Sequence, residues 1–237
     1  MKILITNDDG IDAAGIASLY AAALPLGEVT VAAPARPFSG CGHQTTTHET
    51  IAVSEIRPGW FRIDGTPADC VRIALRELAA DADYVLSGIN EGANLGVDIY
   101  MSGTVAAARE AAFFGKPALA ISQFRERGAE RRWSHSERLS ALVLQRLLPV
   151  KISAGRFWNV NLPDNLNDDQ AAEAMAVEQM VVTHVERAPL PVEFIRTPDG
   201  FRYSGLYHER LRSTGSDVDA CFSGKIALTL LGEDLED

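Results

Sequence analysis

The chain has 237 residues, 46% of them hydrophobic and 23% charged, enough for one large globular domain or a domain with an appendage. Its formal charge of −10 and pI near 5.0 argue against a surface for nucleic-acid polymers or anionic membranes, since both partners are themselves negative. A small phosphate held through a metal ion stays compatible with that balance, because the ion supplies local positive charge.

In chain order, Ile3, Leu4 and Ile5 form an apolar run suited to a strand buried on both faces of a parallel sheet. Asn7, Asp8, Asp9 and Gly10 follow it directly. Two adjacent carboxylates at the edge of an apolar core repel each other and resist desolvation, and a divalent cation would relieve both problems. Both reach one ion only if the chain turns, which Gly10 permits. An isolated Asp-Asp-Gly is also an ordinary solvated Asx turn.

Ile16, Leu19, Tyr20, Ala23 and Leu24 recur at helical spacing up to Gly27, and residues 28–33 (EVTVAA) form the next strand. Strand, helix and strand at this spacing make a right-handed βαβ unit, whose ligands sit at the carboxyl ends of the strands. The loop at 34–43 lies at that edge; its Ser39 reads as a turn hydroxyl and its His43 as a surface or hydrogen-bonding side chain. Residues 45–56 and 60–63 read as an inserted hairpin. Thr66, Pro67 and Asp69 mark a helix start running to about Leu78, with Val71, Ala74, Leu75 and Leu78 inward.

Residues 84–87 form another buried strand, followed by a loop at 88–98 with amides at Asn90 and Asn94 and repeated glycines. Ser102, Gly103 and Thr104 then open a helix facing inward through Val105, Ala108, Ala112 and Phe113. Such a start presents unpaired N–H groups, two hydroxyls and the positive end of the dipole. A plain cap explains one of the hydroxyls. Residues 118–122 form a strand, 125–132 a charged loop, 139–147 a helix, and 157–162 (FWNVNL) the last clear strand of the main sheet. Beyond it, 165–170 is polar, while 181–185, 201–203 and 226–231 are short extended pieces.

Cys41, Cys70 and Cys221 are too scattered for a disulfide framework. With a core strand at the amino terminus and no apolar run of transmembrane length, the expectation is a cytoplasmic protein without a signal peptide.

LITNDDG at 4–10, Ser39-Gly40 after APAR, GTPADC at 65–70, SGINEGANLGVDI at 87–99 and SGTVAAARE at 102–110 resemble the SurE survival-protein family of metal-dependent nucleotidases. In the tail, Arg210, residues 215–218 and residues 226–230 are similar too. The resemblance implies a Rossmann-like α/β fold, a mostly parallel sheet with helices on both faces. The core would span about 1–164 and a C-terminal arm about 165–237 would build homodimers or homotetramers. It also implies hydrolysis of nucleoside 5′- and 3′-monophosphates, with some activity on short polyphosphate. Carried over by motif, the ligands of one divalent cation (Mg²⁺ or Mn²⁺) would be Asp8, Asp9, Ser39 and Asn90. Asn94 and the start at Ser102, Gly103 and Thr104 would hold the phosphate. Bulk at Gly103 should then displace the phosphate and leave the metal alone. Ala35, Met101 and Leu230 depart from the family pattern, at an aspartate, an aromatic and a proline. Rival readings are a haloacid-dehalogenase-like phosphatase, which wants D-x-D where this chain has Gly10, a nucleotide-sugar transferase, and a nucleotide sensor without turnover.

Overall fold

The computed structural model describes residues 1–126, 128, 132–164 and 178–234. The polar stretch at 165–170 lies outside them, as does part of the charged loop at 125–132.

The first half is a βαβ unit: β1 (Lys2–Thr6), α1 (Ala14–Ala23) and β2 (Glu28–Pro34). A hairpin of β3 (Val53–Arg57) and β4 (Trp60–Ile63) follows, then α2 (Pro67–Ile73), which runs on through a π turn to Leu78. The Thr66 side chain and Asp69 form the reciprocal capping box expected from sequence. Next come β5 (Tyr84–Glu91), α3 (Gly103–Phe113), β6 (Ala118–Gln123), α4 (Trp133–Leu147) and β7 (Arg156–Leu162). The tail supplies β8 (Met180–Val182), β9 (Phe194–Thr197), β10 (Gly200–Tyr203), α5 (Asp217–Phe222) and β11 (Ile226–Gly232).

The main sheet has the order β3-β4-β2-β1-β5-β6-β7-β11-β8, parallel from β4 through β7. It is an α/β, Rossmann-like sheet with helices on both faces. Alternation along β1 decides which residue faces which layer. Ile3 and Ile5 pack with Ile16 and Leu19 of α1 and Leu139 and Val143 of α4, whereas Leu4 packs with Val71 of α2 and Val105 and Ala108 of α3. No helix among the described residues is long and apolar enough to cross a membrane.

Three expectations need correction. β7 does not close the sheet: β11 pairs antiparallel with it and β8 parallel with β11. The reason is a third apolar cluster in which Val218, Cys221 and Ala227 of the tail bury Leu95 and Phe124. Phe113 is 55% exposed, because the inward face of α3 runs through Ala108, Ala111 and Ala112 instead. Leu24 is likewise exposed, since α1 ends at Ala23 and a 3₁₀ turn carries the chain to Gly27.

From β1 the chain passes to β2 on one side and later returns to β5 on the other. The carboxyl ends of β1 and β5 therefore flank the topological switch point, where open α/β sheets bind ligands.

Candidate active site

Residues 7–10 turn at that switch point. The Asn7 side-chain amide donates to the Gly10 carbonyl at 2.8 Å, and Gly10 adopts φ +98°, which an L side chain resists. Phe38 N–H donates to Asp8 O (2.8 Å) and Ile11 N–H to Pro34 O (2.9 Å), lacing the loop after β2 onto this turn. Asp8 is buried, at 4% exposure. Asp9 is half-buried and accepts the Glu91 N–H at 3.0 Å.

Asp8, Ser39, Asn90, Asn94 and Ser102 line one cavity of about 220 Å³, with Asp98 and Met101 at its wall. Asn90 stands near the end of β5 rather than in a free loop, since that strand continues to Glu91 with an irregularity between Ser87 and Asn90. Its amide nitrogen donates to Gly92 O at 2.7 Å, which leaves the amide oxygen as its coordinating atom. Asp9 adjoins the cavity through Glu91, while Gly103 and Thr104 lie against Asp8.

The helix start divides its donors. Ser102 is the N-cap, and its Oγ accepts Val105 N–H at 3.0 Å. Thr104 is fully buried, and its hydroxyl donates to Asp8 Oδ1 at 2.5 Å. The Thr104 hydroxyl proton is therefore given to Asp8 and is not available to a phosphate. Gly103 opens the helix, so its N–H has no acceptor within it. A Cβ at Gly103 would stand 2.8 Å from Asp8 Cβ and 3.0 Å from both Asp8 Oδ2 and Cys41 Sγ. The glycine is required because the helix start and the carboxylate touch there, so bulk would move Asp8 as well as any phosphate.

Burial pushes the Asp8 carboxyl up to about 6, with the Asp9 charge adding and the Thr104 hydrogen bond opposing. Asp9 is raised too, chiefly by burial. Among the described residues no lysine or arginine pairs with either carboxylate. No trio of His, Cys, Asp and Glu that could hold a metal is present among them. The donor set here is two carboxylates without a counter-ion plus the neutral oxygens of Ser39 and Asn90. Such hard, sparse oxygen ligation fits a divalent cation of the Mg²⁺ or Mn²⁺ kind.

The sequence reading missed the layer behind these residues. Asn94 N–H donates to Asn161 Oδ1 (2.8 Å), its carbonyl accepts from Asn159 (2.9 Å) and Asn161 (3.1 Å), and its amide donates to Ser122 Oγ (2.7 Å). A signal existed: two asparagines two apart on one face of the buried strand β7 need polar partners. The C-terminal segment braces the next stretch. Arg210 Nη1 and the Tyr207 hydroxyl both donate to Asp98 Oδ2 at 2.7 Å, Arg210 Nη2 donates to Leu95 O at 3.0 Å, and Asp217 accepts Gly96 N–H at 2.8 Å. His43 stays outside the cavity lining: it pairs with Glu110 at 2.6 Å, which also binds Arg72, and stacks on Phe113. Burial would raise Glu110, but the bonds from His43 and Arg72 outweigh it and hold the carboxyl low. The three cysteines are free thiols; Cys70 and Cys221 are buried as expected of core thiols, whereas Cys41 is only half-buried.

Comparison with known proteins places these motifs. The family model described as survival protein SurE matches residues 3–188. A protein of Nostoc sp. is 45% identical over 231 residues, covering 98% of this chain and 99% of the other. The 5′-nucleotidase SurE of Myxococcus xanthus is 38% identical over 250 residues, covering 100% of this chain and 89% of that one. The crystal structure of the SurE protein from Aquifex aeolicus has a TM-score of 0.85 at 32% identity, over 100% of this chain and 95% of that one.

Proposed function

The chain belongs to the SurE survival-protein family, and from that premise we propose that it is a metal-dependent nucleotidase acting on nucleoside 5′- and 3′-monophosphates, and on short polyphosphate. One observation carries the metal dependence: Asp8, buried and pushed up to about 6, adjoins a second carboxylate with no cationic partner among the described residues. A divalent cation would relieve both the mutual repulsion and the desolvation of such a pair.

Asp8, Asp9, Ser39 and Asn90 would hold one Mg²⁺ or Mn²⁺. When bound, that ion supplies Lewis acidity toward the phosphate. Ser102 Oγ accepts from Val105 but keeps its own proton, which it can donate to a phosphate oxygen. Gly103 N–H is the second donor. Both stand at the positive end of α3, where negative charge on the equatorial oxygens is stabilised during in-line attack by water. Thr104 orients Asp8, and the Asn159 and Asn161 ladder fixes Asn94 at the cavity wall.

Release of inorganic phosphate from AMP with added Mn²⁺ tests the reading, together with its loss on exhaustive chelation. Asp8→Asn should lose most of the rate and still fold, because it removes an uncompensated buried charge. Full turnover after chelation would remove the metal from the mechanism. AMP binding without phosphate release would leave a nucleotide sensor.

A further inference from the structure

The cavity at Asp8, about 220 Å³, has room for a phosphate and its ion and is open to solvent, whereas sites enclosing drug-sized ligands run from roughly 300 Å³ upward. A nucleoside on that phosphate extends out of the cavity along its open side. A second pocket of about 370 Å³ is lined by Phe124, Glu126, His208, Arg212 and Phe222. Its place is fixed by strand register. Ser122 and Gln123 of β6 pair with Asn90 and Glu91 of β5, and Phe124 is the next residue, one strand over from the cavity. Neighbouring strands stand about 4.8 Å apart. Leu95, which shares an apolar cluster with Phe124, links the two sites through the loop that lines the first.

Resting on the nucleotidase reading, we propose that this pocket receives the nucleobase of the substrate. The rings of Phe124 and Phe222 lie with centroids 4.7 Å apart, and His208 packs on them at 5.7 and 6.1 Å. The Arg212 guanidinium stands 5.9 Å from the Phe222 ring. Phe124 is nearly buried and forms the floor, while His208 and Arg212 are exposed at the mouth. Because Phe124 and Phe222 already stack on each other, a flat heteroaromatic ring would stack on the outer, partly exposed side of Phe222. Its polar edge meets one carboxylate acceptor, Glu126, and the donors of Arg212 and His208. That mixture suits a neutral base with both donors and acceptors, and Glu126 repels a phosphate. The same short segment serves both sites, since Tyr207 and Arg210 hold Asp98 at the cavity wall while His208 and Arg212 line the pocket.

The test compares AMP with ribose 5-phosphate, which lacks only the base, in the wild type and in His208→Ala and Phe222→Leu. Phe222→Leu keeps apolar volume and removes the aromatic face. Phosphate release is measured with Mn²⁺, and binding of both ligands by calorimetry in the presence of a chelator. Each variant should lose roughly tenfold in kcat/KM and in affinity for AMP, the order expected for one lost stacking contact. Ribose 5-phosphate should be unaffected. Equal loss on both ligands, unchanged AMP values, or a wild type that binds AMP no better than ribose 5-phosphate overturns the assignment. A wild type that binds AMP through these residues yet releases no phosphate sustains the base pocket and refutes the nucleotidase.

Discussion

The Thr104 hydroxyl donates to Asp8 Oδ1 at 2.5 Å, across 96 positions of sequence, so the start of α3 holds a carboxylate before it can hold a phosphate. Thr104→Val keeps the shape and removes the donor. A buried acceptor left without its partner costs about 1–3 kcal/mol. Since that bond opposes the rise of the Asp8 carboxyl, its loss should push the group higher still and leave less of it ionised at neutral pH. Loss of a bond that orients a metal ligand typically lowers metal affinity by roughly 10–100-fold. Calorimetric titration with Mn²⁺ should show a fall of that order. Wild-type affinity would mean that the Thr104 bond does not position Asp8 for the ion.

Ser102→Ala and Gly103→Val separate two duties of the same helix start. The first removes a cap, for about 0.5–2 kcal/mol of stability, and a phosphate donor, for a rate loss of roughly 10²–10³. Mn²⁺ affinity should survive it. Gly103→Val should lower both rate and Mn²⁺ affinity, because its Cβ would stand 2.8 Å from Asp8 Cβ. Rate, Mn²⁺ affinity and melting temperature are measured on both variants. A Gly103→Val protein with intact metal binding would restore the simpler expectation that bulk there disturbs phosphate alone.

Elements with a local rule were legible in sequence. The Thr66–Asp69 box, the apolar run of β1 and the start at Ser102 each depend on residues within a turn or a strand of each other. The residues of the cavity lining were reached through their motifs. What escaped was non-local. No periodicity in the tail says that β11 pairs with β7, because a short apolar strand can pair with either free edge. The bonds from Arg210 to Asp98 and from Asn159 to Asn94 join positions far apart in the chain and leave no pattern in either segment. Thr104 was visible as a polar residue but not as a buried one, and only burial reveals that its hydroxyl is already engaged.

Arg210 tests the brace behind the cavity. Its side chain is 1% exposed and divides its guanidinium between Asp98 Oδ2 and Leu95 O. A lysine, being a point charge, cannot reproduce that fork. Arg210→Lys should therefore keep the charge balance yet loosen residues 95–102, lowering kcat by roughly tenfold with a smaller change in melting temperature. Arg210→Ala leaves Asp98 without its cation and should cost about 3–5 kcal/mol. Unchanged kcat in Arg210→Lys would reduce the residue to a purely structural ion pair.

Acid stability should depend on Glu186. This buried carboxylate accepts from the N–H groups of Ala188, Ser213 and Arg187 and from the Ser213 hydroxyl, closing the base of the excursion at 187–212. Those bonds, led by that of Ala188, hold its carboxyl down at about 2 against an ordinary 4.5. A carboxyl depressed in the folded state contributes stability above pH 4.5 that drains away as pH falls toward 2. Glu186→Gln should melt lower at neutral pH and converge on the wild type by about pH 2. Parallel melting curves across that range would show that the bonds do not discriminate between the charged and neutral forms.

The ribbon of β9 and β10 makes the last prediction. Among the described residues its strands pair only with each other, and Phe194, Phe201 and Tyr203 are 58%, 67% and 50% exposed. Val192 and Leu211 beside it are 63% and 72% exposed. A lone two-stranded ribbon is marginal in water, and a cluster of large apolar side chains this open marks a contact surface. The family resemblance supplies the occupant, a second copy of the chain, and closed symmetry makes a dimer the simplest assembly. Sedimentation at micromolar concentration should therefore give a dimer or tetramer. The double variant Phe194→Ser, Phe201→Ser should shift it to monomer while the melting temperature of the core stays close to that of the wild type at low concentration, because the ribbon contributes nothing to the three apolar clusters of the main body. A wild type that sediments only as monomer would leave the ribbon without a partner and remove the arm's role in assembly.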